Sequence, residues 1–352
     1  MIASLSSDDG PAAAERGASS PKRGVYFLAN DSVLDIVIAF LNSFRIHNPT
    51  IPLCLIPFAS DLDNISRLSE IYGFSIYRDE GILRRCDDIA NTLFSQRPFW
   101  HRGHLRKLCA FEGPFDEFIY VDCDTVILSD VSFAFQFLGF ADFVFAHSHD
   151  PGMKRWVWKE SISTAGVLSE EQIALSASTG FICSRRKQLT LDETERRLPE
   201  VLSIGEHLEW SCLDQSFLNY LAVTSSNACT SLFKIRTDSG LWNIPLEQWA
   251  GESPLFRFRN PISPLSNDLL MVHWAGRWCA GRGDRVIYDC LARLGLRSRT
   301  PSIKLFMPRK RLWKYFRHYA YRDMLWTLGQ GRAQRESRLT SRHAGQLNAL
   351  NV

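Results

Sequence analysis

The stretch FIYVDCDTVILSD, residues 118–130, holds two carboxylates, Asp122 and Asp124, with one residue between them and an apolar run on either side. Side chains two positions apart in an extended chain project to the same side, so both carboxylates can face one ion. Two crowded anions repel, and a hard divalent cation with oxygen ligands is the least costly way to keep both ionised. The plainer alternative is a polar strand end whose aspartates cap the next helix, since an Asp-x-Asp triplet recurs by chance. The upstream segment HLRKLCAFEGPFDE favours the first reading. A carboxylate pair at a strand end with a basic helix beside it is a seat for a metal ion and a diphosphate.

For that chemistry FIYV must be a central strand, and the chain before it supplies the sheet. Residues 1–23 form a Ser/Ala/Pro/Gly tail that is expected to be disordered, and the fold begins at Gly24. GVYFLAN reads as a buried strand, SVLDIVIAFLNSFRIHNP as a helix stopped at Asn48-Pro49, and PLCLIPF as the next strand. DLDNISRLSEIYG reads as a helix with Gly73 after its end, and FSIY as a short third strand. Strands alternating with helices predict a parallel, doubly wound sheet covered on both faces, whose ligands lie beyond the carboxyl ends of the strands. No GxGxxG or P-loop is present to hold phosphate.

Composition excludes several classes. With 352 residues, 45% hydrophobic, the chain can bury a large core, and its net charge of +3 is not that of a polyelectrolyte. The nine cysteines are odd in number and contain no CxxC pair, which predicts reduced thiols in a cytoplasmic protein rather than a disulfide framework or zinc site. No stretch reaches the roughly 18 uncharged apolar residues of a membrane span, and the start lacks the apolar middle of a signal peptide.

The segment LRKLCAFEGPFDEFIYVDCDTVILSDVS resembles the donor-site segment of the glycogenin-like retaining glycosyltransferases of family 8. FLAND, STGFICSRR, LDQSFLNYL and VHWAG are similar to four further segments of that family, in the same order along the chain. The resemblance implies an α/β, mostly parallel Rossmann-like sheet flanked by helices: the nucleotide-diphospho-sugar transferase, or GT-A, fold, over residues 24–298, followed by a basic aromatic region over 299–352. It further implies that Asp122 and Asp124 bind Mn2+ (or Mg2+) together with His273, an imidazole among oxygens suiting Mn2+ better than Mg2+. Lys107 and Arg97 would meet the donor phosphates, and Asn30 and Asp31 the nucleotide base. Cys123, Ser178 and Gly180 fall on the donor side, while Asp214 and Gln215 would line the sugar and acceptor pocket near the reacting carbon. Gly276 would let backbone approach the diphosphate, with Arg277 beside it.

Each residue also has a plainer reading: His273 as a core histidine, Arg106 and Lys107 as a solvated helix face, Asp214 as a helix cap, Gly276 as a turn. The sequence departs from the family at Val33, where an aromatic often stacks on uracil, at Ser178, where Asn is usual, and after HWAG, where RWCAGRG lacks the family's lysine.

The implied reaction moves a sugar from a nucleotide sugar, expected to be a UDP-sugar, to a hydroxyl on a glycan or lipid-linked acceptor, in polysaccharide or lipopolysaccharide synthesis. Attack on the face that the diphosphate leaves retains configuration and needs no strong protein base, whereas inversion would need a carboxylate such as Asp150, Glu209 or Asp214. A sugar nucleotidyltransferase is the enzymatic alternative, and a non-catalytic nucleotide-sugar or carbohydrate-binding protein the alternative outside enzymes.

Two peripheral features bear on the acceptor. Residues 147–177 read as an irregular loop, and Trp156, Trp158, Trp242 and Trp249 are candidate stacking platforms. From Ile303 the chain is basic and interleaved with aromatics. That pattern suits an anionic membrane surface, placing the protein at the inner face of the plasma membrane; nucleic-acid binding and a helix packed on the domain are the rivals.

Overall fold

The computed structural model describes residues 20–95, 99–225, 228–249 and 269–275. The residue 1–19 part of the tail, Arg97, Gly276, Arg277 and the 299–352 region lie outside the described residues.

The first half follows the alternation read from the sequence. Strand β1 (Arg23–Ala29) is followed by α1 (Leu34–His47), β2 (Leu53–Pro57), α2 (Asp63–Tyr72), β3 (Phe74–Ile76) and α3 (Glu80–Leu93). Helix α2 stops at Gly73, whose φ of 63° lies in the left-handed region that glycine adopts without cost. A 3-10 segment, Phe99–Leu108, and α4 (Cys109–Glu112) lead into β4 (Glu117–Asp122) and β5 (Thr125–Ile127). After β6 (Phe143–Phe145) come the short helices α5 (Pro151–Lys154), α6 (Ile162–Ala165) and α7 (Glu170–Leu175), then β7 (Phe181–Arg185). Helices α8 (Leu191–Arg196), α9 (Leu198–Ser203) and α10 (Asp214–Thr224) precede β8 (Cys229–Ser231), α11 (Leu232–Ser239), β9 (Leu246–Trp249) and β10 (Leu269–His273).

Among the described residues, seven strands form the main sheet in the order β3-β2-β1-β4-β7-β6-β8, and β5-β10-β9 form a smaller one. The main sheet is mostly parallel, with β7 antiparallel to both β4 and β6. Successive residues of its central strands feed opposite faces. Tyr26, Leu28, Phe118 and Tyr120 enter one apolar core, and Val25, Phe27, Ile119 and Val121 the other. A strand buried on both faces is apolar along its whole length, which is why β1 and β4 read as unbroken hydrophobic runs.

The 147–177 segment is more ordered than an irregular loop. It holds α5, α6 and α7, and Trp158, 1% exposed, packs in the core with its indole N–H donating to the Ile173 carbonyl. Trp158 is therefore a core residue and no stacking platform. Among the described residues, no helix is long and apolar enough to cross a membrane.

Candidate metal and donor site

The sheet delivers Asp122 to its carboxyl edge as the last residue of β4, and the chain turns at once into β5. The Thr125 hydroxyl donates to the Asp122 carbonyl, holding the turn. Strand β10 runs antiparallel to β5 with His273 opposite Thr125, and the Trp274 amide donates to the Asp124 carbonyl at 3.0 Å. This pairing brings a histidine from far along the chain to the two aspartates. His273 Nε2 lies 3.3 Å from an Asp124 carboxylate oxygen and 3.9 Å from one of Asp122. One ligand atom from each of the three residues falls within 4.8 Å of the others.

This donor set fits a divalent cation. Two carboxylates and an imidazole are a mixed oxygen and nitrogen donor set that a divalent metal ion accepts. Gly180 completes the fit, because a Cβ there would lie 2.4 Å from His273 Cε1 and 3.2 Å from an Asp122 oxygen. The Asp122 amide donates to the Gly180 carbonyl at 2.8 Å, so this backbone cannot retreat to make room.

Lys107 is 4% exposed and supplies the compensating positive charge. Its ammonium lies 3.1 Å from Asp122 and 2.8 Å from Asp214, donates to the Thr179 carbonyl, and sits over the Tyr120 ring. Burial works against the charged amine, but the two carboxylates outweigh it and hold Lys107 above the usual lysine range. Burial likewise opposes ionisation of Asp122, yet Lys107, His273 and the Tyr120 hydroxyl, which donates to it at 2.6 Å, keep its pKa below the ordinary value. His273 shows the same contest: burial disfavours the imidazolium, while Asp124 and Glu247 push its pKa well up.

Several residues singled out in the sequence converge here. Asp214, the first residue of α10, is buried and also accepts from the Thr179 hydroxyl at 3.1 Å. Gln215 donates to the Trp156 carbonyl at 3.0 Å, tying α10 to the segment after β6. Ser178 is buried behind the site, 3.5 Å from Glu247. Cys123, between the two aspartates, packs against apolar side chains, and burial raises its thiol pKa.

Asn30 and Asp31 lie at the same edge, since Leu28 of β1 pairs with Asp122, but their side chains are engaged with protein. Asn30 donates to Asp61, and the Asp31 carboxylate accepts the Asn64 and Ile65 amides at the start of α2. Arg106 forms a two-pronged pair with Asp87 at 2.7 and 2.6 Å, a structural tie away from the aspartate pair.

Sequence reasoning missed four participants. Tyr120 was findable, since it lies two residues before Asp122 on the same strand face. Thr179 sits inside STGF, and His104, 3.8 Å from Asp214, inside the basic segment. Glu247, within PLEQWA, carries no local signal and is placed only by strand pairing.

No protein-family model and no curated protein matches the chain. Solved glycosyltransferase structures do resemble it. An active-site mutant of LgtC superimposes with a TM-score of 0.50 at 14% identity, over 77% of this chain and 95% of that one. The galactosyltransferase LgtC in complex with donor and acceptor sugar analogs gives 0.49 at 12% identity, with the same coverage. The glycosyltransferase GlyE of Streptococcus pneumoniae TIGR4 gives 0.42 at 19% identity, over 79% of this chain and 63% of that one. At these identities the likeness to LgtC establishes the fold: the seven-stranded, mostly parallel sheet flanked by helices is the GT-A architecture expected from the sequence.

Proposed function

We propose that the chain is a cation-dependent glycosyltransferase that moves a sugar from a nucleoside diphosphate donor, a UDP-sugar, to a hydroxyl acceptor with retention of configuration. The observation that carries this reading is the meeting of Asp122, Asp124 and His273 beyond the carboxyl end of β4, in a fold shared with LgtC. Ligands of such sheets bind at that edge.

Asp122, Asp124 and His273 would hold Mn2+, or Mg2+. When bound, the ion supplies Lewis-acid stabilisation of the charge that develops on the leaving diphosphate. Lys107 fixes the spacing of Asp122 and Asp214 through one buried ammonium, so the donor side and the sugar side of the site are held together. Asp214 and Gln215 at the start of α10 line the sugar and acceptor pocket, and Gln215 orients the segment that carries Trp156, which is 42% exposed and suited to stacking on a sugar ring. Same-face attack asks of the protein that it orient the acceptor and exclude water, and no side chain need remove a proton. The basic aromatic 299–352 region supports peripheral attachment at the inner face of the plasma membrane and a lipid-linked acceptor, as in lipopolysaccharide assembly.

The test is a screen of nucleotide sugars with Mn2+, read as release of nucleoside diphosphate. Release from one donor that stops on chelation supports the proposal. Nucleotide-sugar binding with no release from any donor would make the chain a binding protein, and pyrophosphate release from a nucleoside triphosphate and a sugar phosphate would make it a nucleotidyltransferase.

A further inference from the structure

Strand β9 grips His273. Residues two apart on a strand share a face, and β9 presents Glu247 and Trp249 to β10 in that way. Glu247 Oε1 lies 2.5 Å from His273 Nδ1, and the Trp249 ring stacks on the imidazole with 5.0 Å between centroids and 30° between planes. The grip is written into the register, since β9 runs parallel to β10 with Trp249 beside His273. Gly180 leaves room only for the bare Cε1 edge. With its edge and face held, the ring turns Nε2 toward Asp124 and Asp122.

Glu247 has little else to do. Its side chain is 0% exposed, Ser178 approaches the same oxygen at 3.5 Å, and Oε2 has no hydrogen-bond partner among the described residues. A carboxylate buried so deeply is costly unless paired and hydrogen-bonded. Its placement is therefore explained by what it does for His273.

We propose that Glu247 is a positioning residue of the cation site: its carboxylate accepts the Nδ1 proton of His273, fixes the tautomer whose Nε2 lone pair faces the ion, and thereby sets the preference for Mn2+ over Mg2+. The proposal rests on the cation site of the preceding section and extends it to a residue that does not touch the ion. A carboxylate bonded to a ligating imidazole fixes ring orientation and raises ligand basicity, and its loss typically costs about 10- to 100-fold in metal affinity. Nitrogen donation matters more to Mn2+ than to Mg2+, so its weakening narrows the difference between the two ions.

Titration of the full chain with Mn2+, followed by the paramagnetic resonance signal of free ion, tests this in wild type, Glu247→Gln, Glu247→Asp and Asp124→Asn. We expect Glu247→Gln to bind Mn2+ about tenfold more weakly or worse and to lose less affinity for Mg2+, with Glu247→Asp recovering part of the loss. Wild-type Mn2+ affinity in Glu247→Gln overturns the proposal and leaves the cation site standing. No Mn2+ binding by wild type overturns both. A second measurement needs no Glu247 variant: nitrogen-15 spectra of the histidines with Mg2+ bound should show His273, assigned by loss of its signal in His273→Gln, protonated at Nδ1 and bare at Nε2. A proton on Nε2 in that complex overturns the proposal.

Discussion

The carboxylates of Asp122 and Asp214, at the end of β4 and the start of α10, share one buried counter-ion, the ammonium of Lys107, at 3.1 and 2.8 Å. Removing it leaves one buried anion, Asp214, and one part-buried anion, Asp122, without their common partner. Lys107→Met should therefore destabilise the fold by about 3–5 kcal/mol, the usual cost of breaking a buried ion pair from one side. Urea denaturation at neutral pH measures this, and a loss within about 0.5 kcal/mol, the range of ordinary surface substitutions, would show that Lys107 is not the pivot of the site.

Asp124 behaves differently because it is a third exposed and crowded by Asp122. Asp124→Ala should abolish Mn2+-dependent nucleotide binding and donor turnover while shifting the melting temperature of the cation-free protein by no more than a few degrees, since a partly exposed pair contributes only about 0–1 kcal/mol. A variant that unfolds yet binds nucleotide normally when folded would make Asp124 a structural residue.

Cation uptake should be linked to proton release. Burial opposes charge on His273, but Asp124 and Glu247 push its pKa well above the ordinary value, which favours the imidazolium in the cation-free protein. A cation takes the Nε2 lone pair and must expel that proton, whereas Asp122, held below its ordinary pKa, has none to give. Mn2+ affinity should thus rise with pH across the neutral range. Calorimetry in buffers of different ionisation enthalpy should show net proton release on binding; no release would remove His273 from the ligand set.

Gly180→Ala probes the space beside the imidazole. The added methyl would sit 2.4 Å from His273 Cε1 on backbone pinned by the Asp122 amide. Overpacking of this kind costs about 1–3 kcal/mol. Most of that strain should appear as a displaced ring, lowering Mn2+ affinity at least tenfold while the circular dichroism of the sheet is unchanged. Unaltered Mn2+ affinity would show that the ring has room to move.

The basic aromatic region predicts that the full chain binds anionic vesicles with an affinity that falls steeply as salt is added, because surface attraction is screened within about 8 Å at physiological ionic strength. Co-sedimentation at increasing salt measures it. Equal binding to neutral vesicles, or preference for single-stranded oligonucleotides, would count against a membrane surface.

What the sequence made legible was local. The alternation of β1, α1, β2, α2 and β3 follows from apolar periodicity and from the stop at Gly73, and the aspartate pair is visible as an Asp-x-Asp triplet after an apolar run, although Asp122 ends β4 and Asp124 lies in the turn before β5 rather than on the same strand. What it hid depends on pairing between distant segments. Nothing near Lys107 says that Asp214 will reach it, and nothing in PLEQWA says that Glu247 will lie against His273. Asp31 shows the converse: a polar residue at a strand end invites a ligand role, while its carboxylate holds the first amides of α2. The antiparallel direction of β7 was equally hidden, because a strand's direction leaves no trace in its own composition.

The smaller sheet has a consequence for how the protein is made. Synthesis proceeds from the N-terminus, and early segments begin to fold as they emerge. β4 and β5 therefore leave the ribosome long before β10, and until β10 adds beside β5 the two aspartates have no imidazole partner. The ligand set of Asp122, Asp124 and His273 exists only after β10 has docked. By mass action, the ion then stabilises the chain with β10 docked over every earlier state, which turns a binding site into a latch on that docking step.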